Sequence, residues 1–92
     1  MVPVHPGRAL ADEMEARNMT ANALAIKLRV PASRIGEILK GRRAISPETA
    51  LRLGRYFGTG AGLWVRMQAN YDLAKAEQEL GAKIAKEVEI AA

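Results

Sequence analysis

The chain has 92 residues and no cysteine, which leaves room for one compact domain and for neither a disulfide framework nor a thiolate metal site. Hydrophobic residues make up 49% of it, yet charges break every apolar run within a few positions, which excludes a membrane span. No cationic start followed by an apolar stretch and a small-residue cleavage site opens the chain, so a soluble, cytoplasmic protein is expected. The net charge of +4 says less than its distribution: between Thr20 and Tyr56, eight cations (Lys27, Arg29, Arg34, Lys40, Arg42, Arg43, Arg52, Arg55) face only Glu37 and Glu48, leaving +6 there and −2 elsewhere.

The opening "VHPGRALADEMEARN" predicts a first helix from about Pro6 to Arg17, with the proline just inside it and acids in its early turns, where they favour the positive end of the helix dipole. Leu10 and Met14 share a face, Asn18 suits the left-handed closing position, and Thr20 caps the next helix. That second helix, "TANALAIKLRV", has Leu24, Ala25 and Leu28 on one stripe. Its periodicity breaks at Arg29, and Pro31 stands as the first residue of a third helix. The intervening turn of three or four residues is the length a helix-turn-helix requires.

The third helix puts Ile35, Ile38 and Leu39 on one side, and Ser33, Glu37 and Lys40 on the other, flanked by Arg34 and Gly36. Gly41 ends it. "SPET" then restarts the chain with Ser46 as N-cap and Pro47 in the first turn, and a fourth helix follows with Ala50, Leu53, Gly54 and Phe57 facing inward. After the turn "FGTGAG", a fifth helix from about Leu63 to Leu80 presents Leu63, Trp64, Met67, Tyr71 and Ala74 on one side. The tail "GAKIAKEVEIAA" fits a helix through Leu80, Ile84 and Val88, or a strand through Val88 and Ile90. The expected organisation is a single domain over residues 1–92, with a core at about 5–74 and an extension at 75–92.

A recognition helix needs an apolar back, a short polar front and cations at its ends to hold phosphates, and the order of the second to fourth helices supplies all three. Ser33, Arg34, Glu37 and Lys40 are the candidates for base edges: Arg and Lys suit guanine acceptors, Glu accepts from the cytosine amino group, and Ser is permissive. Glu37 is equally suited to pairing with Arg34 or Lys40 along the helix. Arg42 and Arg43 are the first candidates for phosphate contact, followed by Thr20, Asn22 and Arg29. Gly36 lowers helix stability by about 1 kcal/mol relative to Ala, which is explained either by a backbone approaching from outside or by packing on a neighbouring helix. His5, the sole histidine, has no clustered ligands around it and reads as a surface residue beside a helix start, so no metal or cofactor is expected. No catalytic triad, phosphate-cradling loop or carboxylate pair can be assembled, and an enzyme is not expected. Trp64, Met67 and Tyr71 suit a core, or a face for a second copy of the chain.

The stretch from "HPG" through "LAIKLRVPASRIGEILKGRRAISPETALRLGRYFGTGAGLWVRMQANYDL" resembles the HigA-type antitoxins of the Xre/Cro-like helix-turn-helix group. The likeness covers about His5 to Leu73, and "ISPETALRL", "YFGT" and "LW...QANYDL" are its most specific elements. It implies an all-α, five-helix lambda-repressor-like domain with the helix-turn-helix at helices 2 and 3. It also implies a homodimeric repressor that binds operator DNA in its own toxin-antitoxin operon and sequesters a RelE-like mRNA endonuclease. Three positions depart from the family pattern. Ala21 stands where a phosphate-anchoring glutamine is common, Arg29 replaces the usual turn glycine, and Arg8 takes the place of an acidic residue. A stand-alone repressor and a protein-interaction adaptor on the same fold are the alternatives. A toxin, basic in this family picture, would need an acidic or apolar surface: the N-terminal region with Asp12, Glu13 and Glu15, or the tail with Glu77, Glu79, Glu87 and Glu89.

Overall fold

The computed structural model describes residues 2–92 and contains five helices: α1 (Gly7–Ala16), α2 (Ala21–Leu28), α3 (Ala32–Leu39), α4 (Pro47–Phe57) and α5 (Ala61–Glu87). Local chemistry sets most of the boundaries. The Thr20 hydroxyl accepts from the Ala23 N–H at 3.1 Å and the Ser46 hydroxyl from the Thr49 N–H at 3.2 Å, each satisfying one of the free donors at a helix start. Asn18 closes α1 with φ 52°, and Gly58 closes α4 with φ 74°.

Two prolines sit one step outside the expected positions. Pro6 and Pro31 are N-caps, their carbonyls accepting from Leu10 and Arg34, so α1 and α3 begin at the residues after them. The first turn of α1 accordingly carries no acid; Asp12 and Glu13 lie in the second.

Leu10, Met14, Leu24, Leu28, Ile35, Ile38, Ile45, Leu53 and Trp64 form one core, in which α2 packs on α3 and α4 on α5. Trp64 is 1% exposed, and its indole N–H donates to the Thr59 hydroxyl at 3.0 Å. Its ring therefore fills the angle between α4 and α5, which gives it the role of a core residue and removes it from any face open to a second copy. The buried face of α5 runs through Trp64 and Gln68, so Leu63 turns outward at 38% exposure.

The tail divides between the two expectations. It is helix as far as Glu87, and Val88 is extended, with φ −110° and ψ 114°, without belonging to a sheet. Beyond Ala74, α5 leaves the core and projects, giving principal extents of 52 × 22 × 21 Å. No helix among the described residues is long and apolar enough to cross a membrane.

Candidate nucleic-acid interface

At 100° per residue, the exposed side of α3 is a strip of Ala32, Ser33, Gly36, Glu37 and Lys40, backed by buried Ile35 and Ile38. Ser33, Glu37 and Lys40 lie where the sequence puts them. Gly36 sits inside the strip rather than beside it. A Cβ built there would meet nothing within 4 Å, so packing on a neighbouring helix of this chain is not the reason for the glycine. The case differs at Gly7, where a Cβ would strike the Ile38 carbonyl oxygen; that glycine lets the start of α1 close on the end of α3.

Arg34 turns away from the strip. Its side chain is 20% exposed and pairs with Glu48 of α4 at 3.3 Å. Glu48 also holds Arg52 at 3.1 Å, and Arg52 donates to the Leu28 carbonyl at 2.9 Å, covering one of the open acceptors at the end of α2. A line of charge-assisted bonds thus ties α3 to α4 and α2 and fixes the pose of the helix-turn-helix. The Arg52 hydrogen bond and the field of Arg34 hold the Glu48 carboxyl below the usual carboxylate range. Glu37 pairs with neither Arg34 nor Lys40 but with Arg43, in the loop past α3, at 3.2 Å.

The phosphate candidates fall in three places. Arg42 and Arg43 are exposed at the C-terminal end of α3, beside the base candidate Lys40, and Arg42 enters no ion pair among the described residues. Thr20 and Asn22 are exposed at the start of α2, and the Thr20 oxygen is already engaged as the cap. Arg29 closes α2 in the left-handed conformation, φ 59° and ψ 47°, and lines a small basic recess with Lys27, Arg52 and Arg55. The strain there, roughly 1 kcal/mol for a residue with a Cβ, coexists with an exposed cation; the turn has both properties.

Two positioning residues carry a weaker sequence signal. Gln68 is 7% exposed; its Oε1 accepts from the Ile45 N–H at 2.8 Å and its Nε2 donates to Asp72 at 3.0 Å. It pins the loop between α3 and α4, and hence Arg42 and Arg43, to α5. A glutamine four residues after a tryptophan on an apolar stripe is the available sign. His5 is half-buried rather than a plain surface residue. Nδ1 accepts from the Gly7 N–H at 2.9 Å, and the ring meets Tyr71 edge-on at 4.9 Å, close to the Arg43 backbone. Burial pushes its pKa below the ordinary value, against the pull of Arg43 and Asp72. Tyr71 and Met67 are half-buried and line a groove between α5 and the N-terminal arm.

A family model described as a helix-turn-helix domain matches residues 7–63. The chain is 48% identical over 80 residues to virulence-associated protein I of Dichelobacter nodosus, a match covering 86% of this chain and 74% of that protein. Its structure is similar to that of an addiction module antidote protein of the HigA family from Coxiella burnetii, with 43% identity, TM-score 0.96 and coverage of 99% and 100% of the two chains. It is also similar to the Pseudomonas aeruginosa antitoxin HigA solved with the higBA promoter, with 40% identity, TM-score 0.95 and coverage of 98% and 99%.

Proposed function

The chain belongs to the helix-turn-helix family in its HigA-type antitoxin branch, and from that premise we propose that it is a homodimeric antitoxin and autorepressor that lays α3 in the major groove of its own operator. The relatives in this branch are antitoxins and DNA-binding regulators, not enzymes. The observation that carries the reading is the exposed strip of α3, with a glycine in it that nothing in the chain explains, ending on Lys40, Arg42 and Arg43. A duplex fits both features: base edges come against Ser33, Glu37 and Lys40, and the cations meet the backbone on either side. Arg34, held at the edge of the strip by Glu48, is better placed for a phosphate or an outlying base than for the centre of the site. Arg43 serves two partners, orienting Glu37 and meeting phosphate.

The same reading assigns a toxin partner, a RelE-like mRNA endonuclease, to a surface away from the +6 segment. The outer side of α1, with Asp12, Glu13 and Glu15, is preferred because the apolar residues of the tail are used in pairing two copies.

Mobility shift on the DNA upstream of the chain's own gene tests the operator half. Log affinity should fall linearly with log salt at about −0.9 per phosphate contact, and Arg43→Ala should make that slope shallower by about 1 while weakening all sequences alike. A flat salt response removes DNA from the reading. Co-expression with the neighbouring gene product tests the other half: rescue of growth and co-elution support the antitoxin, and separate elution leaves a repressor alone.

A further inference from the structure

The side of α4 turned away from α5 carries positive charge that the fold leaves unbalanced. At 100° per residue, Ala50, Leu53, Gly54 and Phe57 face the core and α5, and Arg52 and Arg55 fall opposite them. With Lys27 and Arg29 from the end of α2 and the ring of Tyr56, these two arginines border a recess of about 240 Å³ whose lining contains no acid. Arg52 is fixed there by Glu48 and the Leu28 carbonyl, and Glu48 is shared with Arg34. Lys27, Arg29 and Arg55 are exposed and enter no ion pair among the described residues.

Like charges gathered in this way repel one another, and an anion seated among them removes the repulsion. Arg29 has a left-handed backbone, φ 59°, in which a glycine would sit without strain, so the residue serves its side chain rather than the turn. The Tyr56 hydroxyl donates to Met19 Sδ at 3.6 Å, a weak acceptor that a phosphate oxygen outcompetes. The recess also continues the surface that faces DNA, because Arg29 precedes Ala32, where the α3 strip begins, by one short turn. In the homodimer of the reading above, the tails of α5 pair the two copies. The recess, on the far side of α4 from α5, then lies on the outer flank of each copy.

We propose that this recess seats a backbone phosphate of the duplex flanking the operator, outside the base pairs that α3 reads. This rests on the operator reading above and extends its footprint.

Two duplexes test it by mobility shift on the full chain. One is the operator trimmed to the base pairs whose substitution alters binding; the other is the same operator lengthened at each end by about 10 base pairs, one helical turn. At physiological salt the wild type should bind the longer duplex roughly tenfold more tightly, with a log–log salt slope steeper by about 2, one phosphate for each copy. The double variant Lys27→Ala, Arg55→Ala removes two exposed side chains outside every ion pair of the fold, so it should melt close to wild type. It should bind the trimmed duplex as the wild type does and lose the advantage of the longer one. The proposal is overturned if the wild type binds both duplexes alike, or if the double variant keeps the full length advantage. Inorganic phosphate, titrated at constant ionic strength and followed by the amide shifts of Arg29 and Arg55, separates the sources of the anion. Shifts in the DNA-free chain with no length effect would give the recess to a free anion and overturn the flank contact. A chain that binds the trimmed duplex without a length effect loses only that contact; one that binds neither duplex loses the operator reading as well.

Discussion

The two halves of α5 are continuous in backbone and opposite in circumstance. From Ala61 to Ala74 the helix is pinned to the rest of the chain by Trp64 in the core and by Gln68 on the Ile45 N–H; from Lys75 to Glu87 it touches little beyond its own turns, with a Lys83–Glu87 ion pair at 3.8 Å as local support. The near half is helical because it is packed. The far half owes its helicity to Ala, Lys, Glu and Gln propensity and to continuation from a formed helix. An apolar stripe in the near half explains itself by burial, whereas the same kind of stripe in the far half has no use within the chain. The glycines repeat the contrast: at Gly7 and Gly54 a Cβ would collide with backbone of the chain itself, and at Gly36 and Gly81 it would meet open space.

Substitutions that act on one side of this contrast should leave the other alone. Trp64→Ala should destabilise the domain by about 3–5 kcal/mol in thermal or urea unfolding, through lost burial and an unfilled cavity. Ile84→Ala should change the melting of a dilute, unpaired chain by far less; a comparable loss for both would mean that the far half packs on the core. Next, Gln68→Leu removes the acceptor of a buried N–H and should cost about 1–3 kcal/mol. Because Gln68 holds the loop that carries Arg42 and Arg43, hydrogen exchange at Ile45 should quicken and operator affinity should fall, although residue 68 does not belong to the interface.

Arg29→Gly should relieve the left-handed turn and gain up to about 1 kcal/mol of stability, with a small loss of affinity at low salt if the cation meets phosphate. An unchanged melting temperature would show that the turn is not strained.

The smallest expected effect is on pH. Burial lowers the pKa of His5 in the folded chain, so its contribution to stability is complete above the unfolded value of about 6.5 and is lost as pH falls through the folded pKa. The groups facing it are the Arg43 backbone, Asp72 and Lys75. Unfolding followed between about pH 7 and 5 should lose stability more steeply in wild type than in His5→Gln.

The helices and the core are readable in the sequence because each is written in local chemistry: Thr20 and Ser46 as caps, Pro47 in a first turn, Leu24 and Leu28 or Ile35 and Ile38 at helical spacing. The faces of the third helix are readable for the same reason, down to Ser33, Glu37 and Lys40. What sequence spacing does not encode is which long side chain finds which partner across helices. Arg34 and Glu48 are 14 residues apart and meet only because α3 and α4 both pack on α2; Arg43 takes Glu37 because Gly41 turns the chain back beside α3. Trp64 is legible as apolar and helical, but whether a tryptophan faces a core or a partner depends on how α5 is rotated, and a periodic stripe broad enough to include Leu63 leaves that open. The half-buried setting of His5 is hidden for a related cause: its partners Tyr71 and Arg43 are remote in sequence.

The central claim, that the exposed strip of α3 is where DNA comes closest to the chain, is tested most directly by Gly36→Ala, measured twice. Opposite signs are expected: folding stability rises by up to about 1 kcal/mol, because alanine favours the helix and the added methyl has free space, while operator affinity falls at physiological salt because that methyl enters the groove. Equal or tighter operator binding by Gly36→Ala, with stability raised, would contradict the claim and place the DNA against another face.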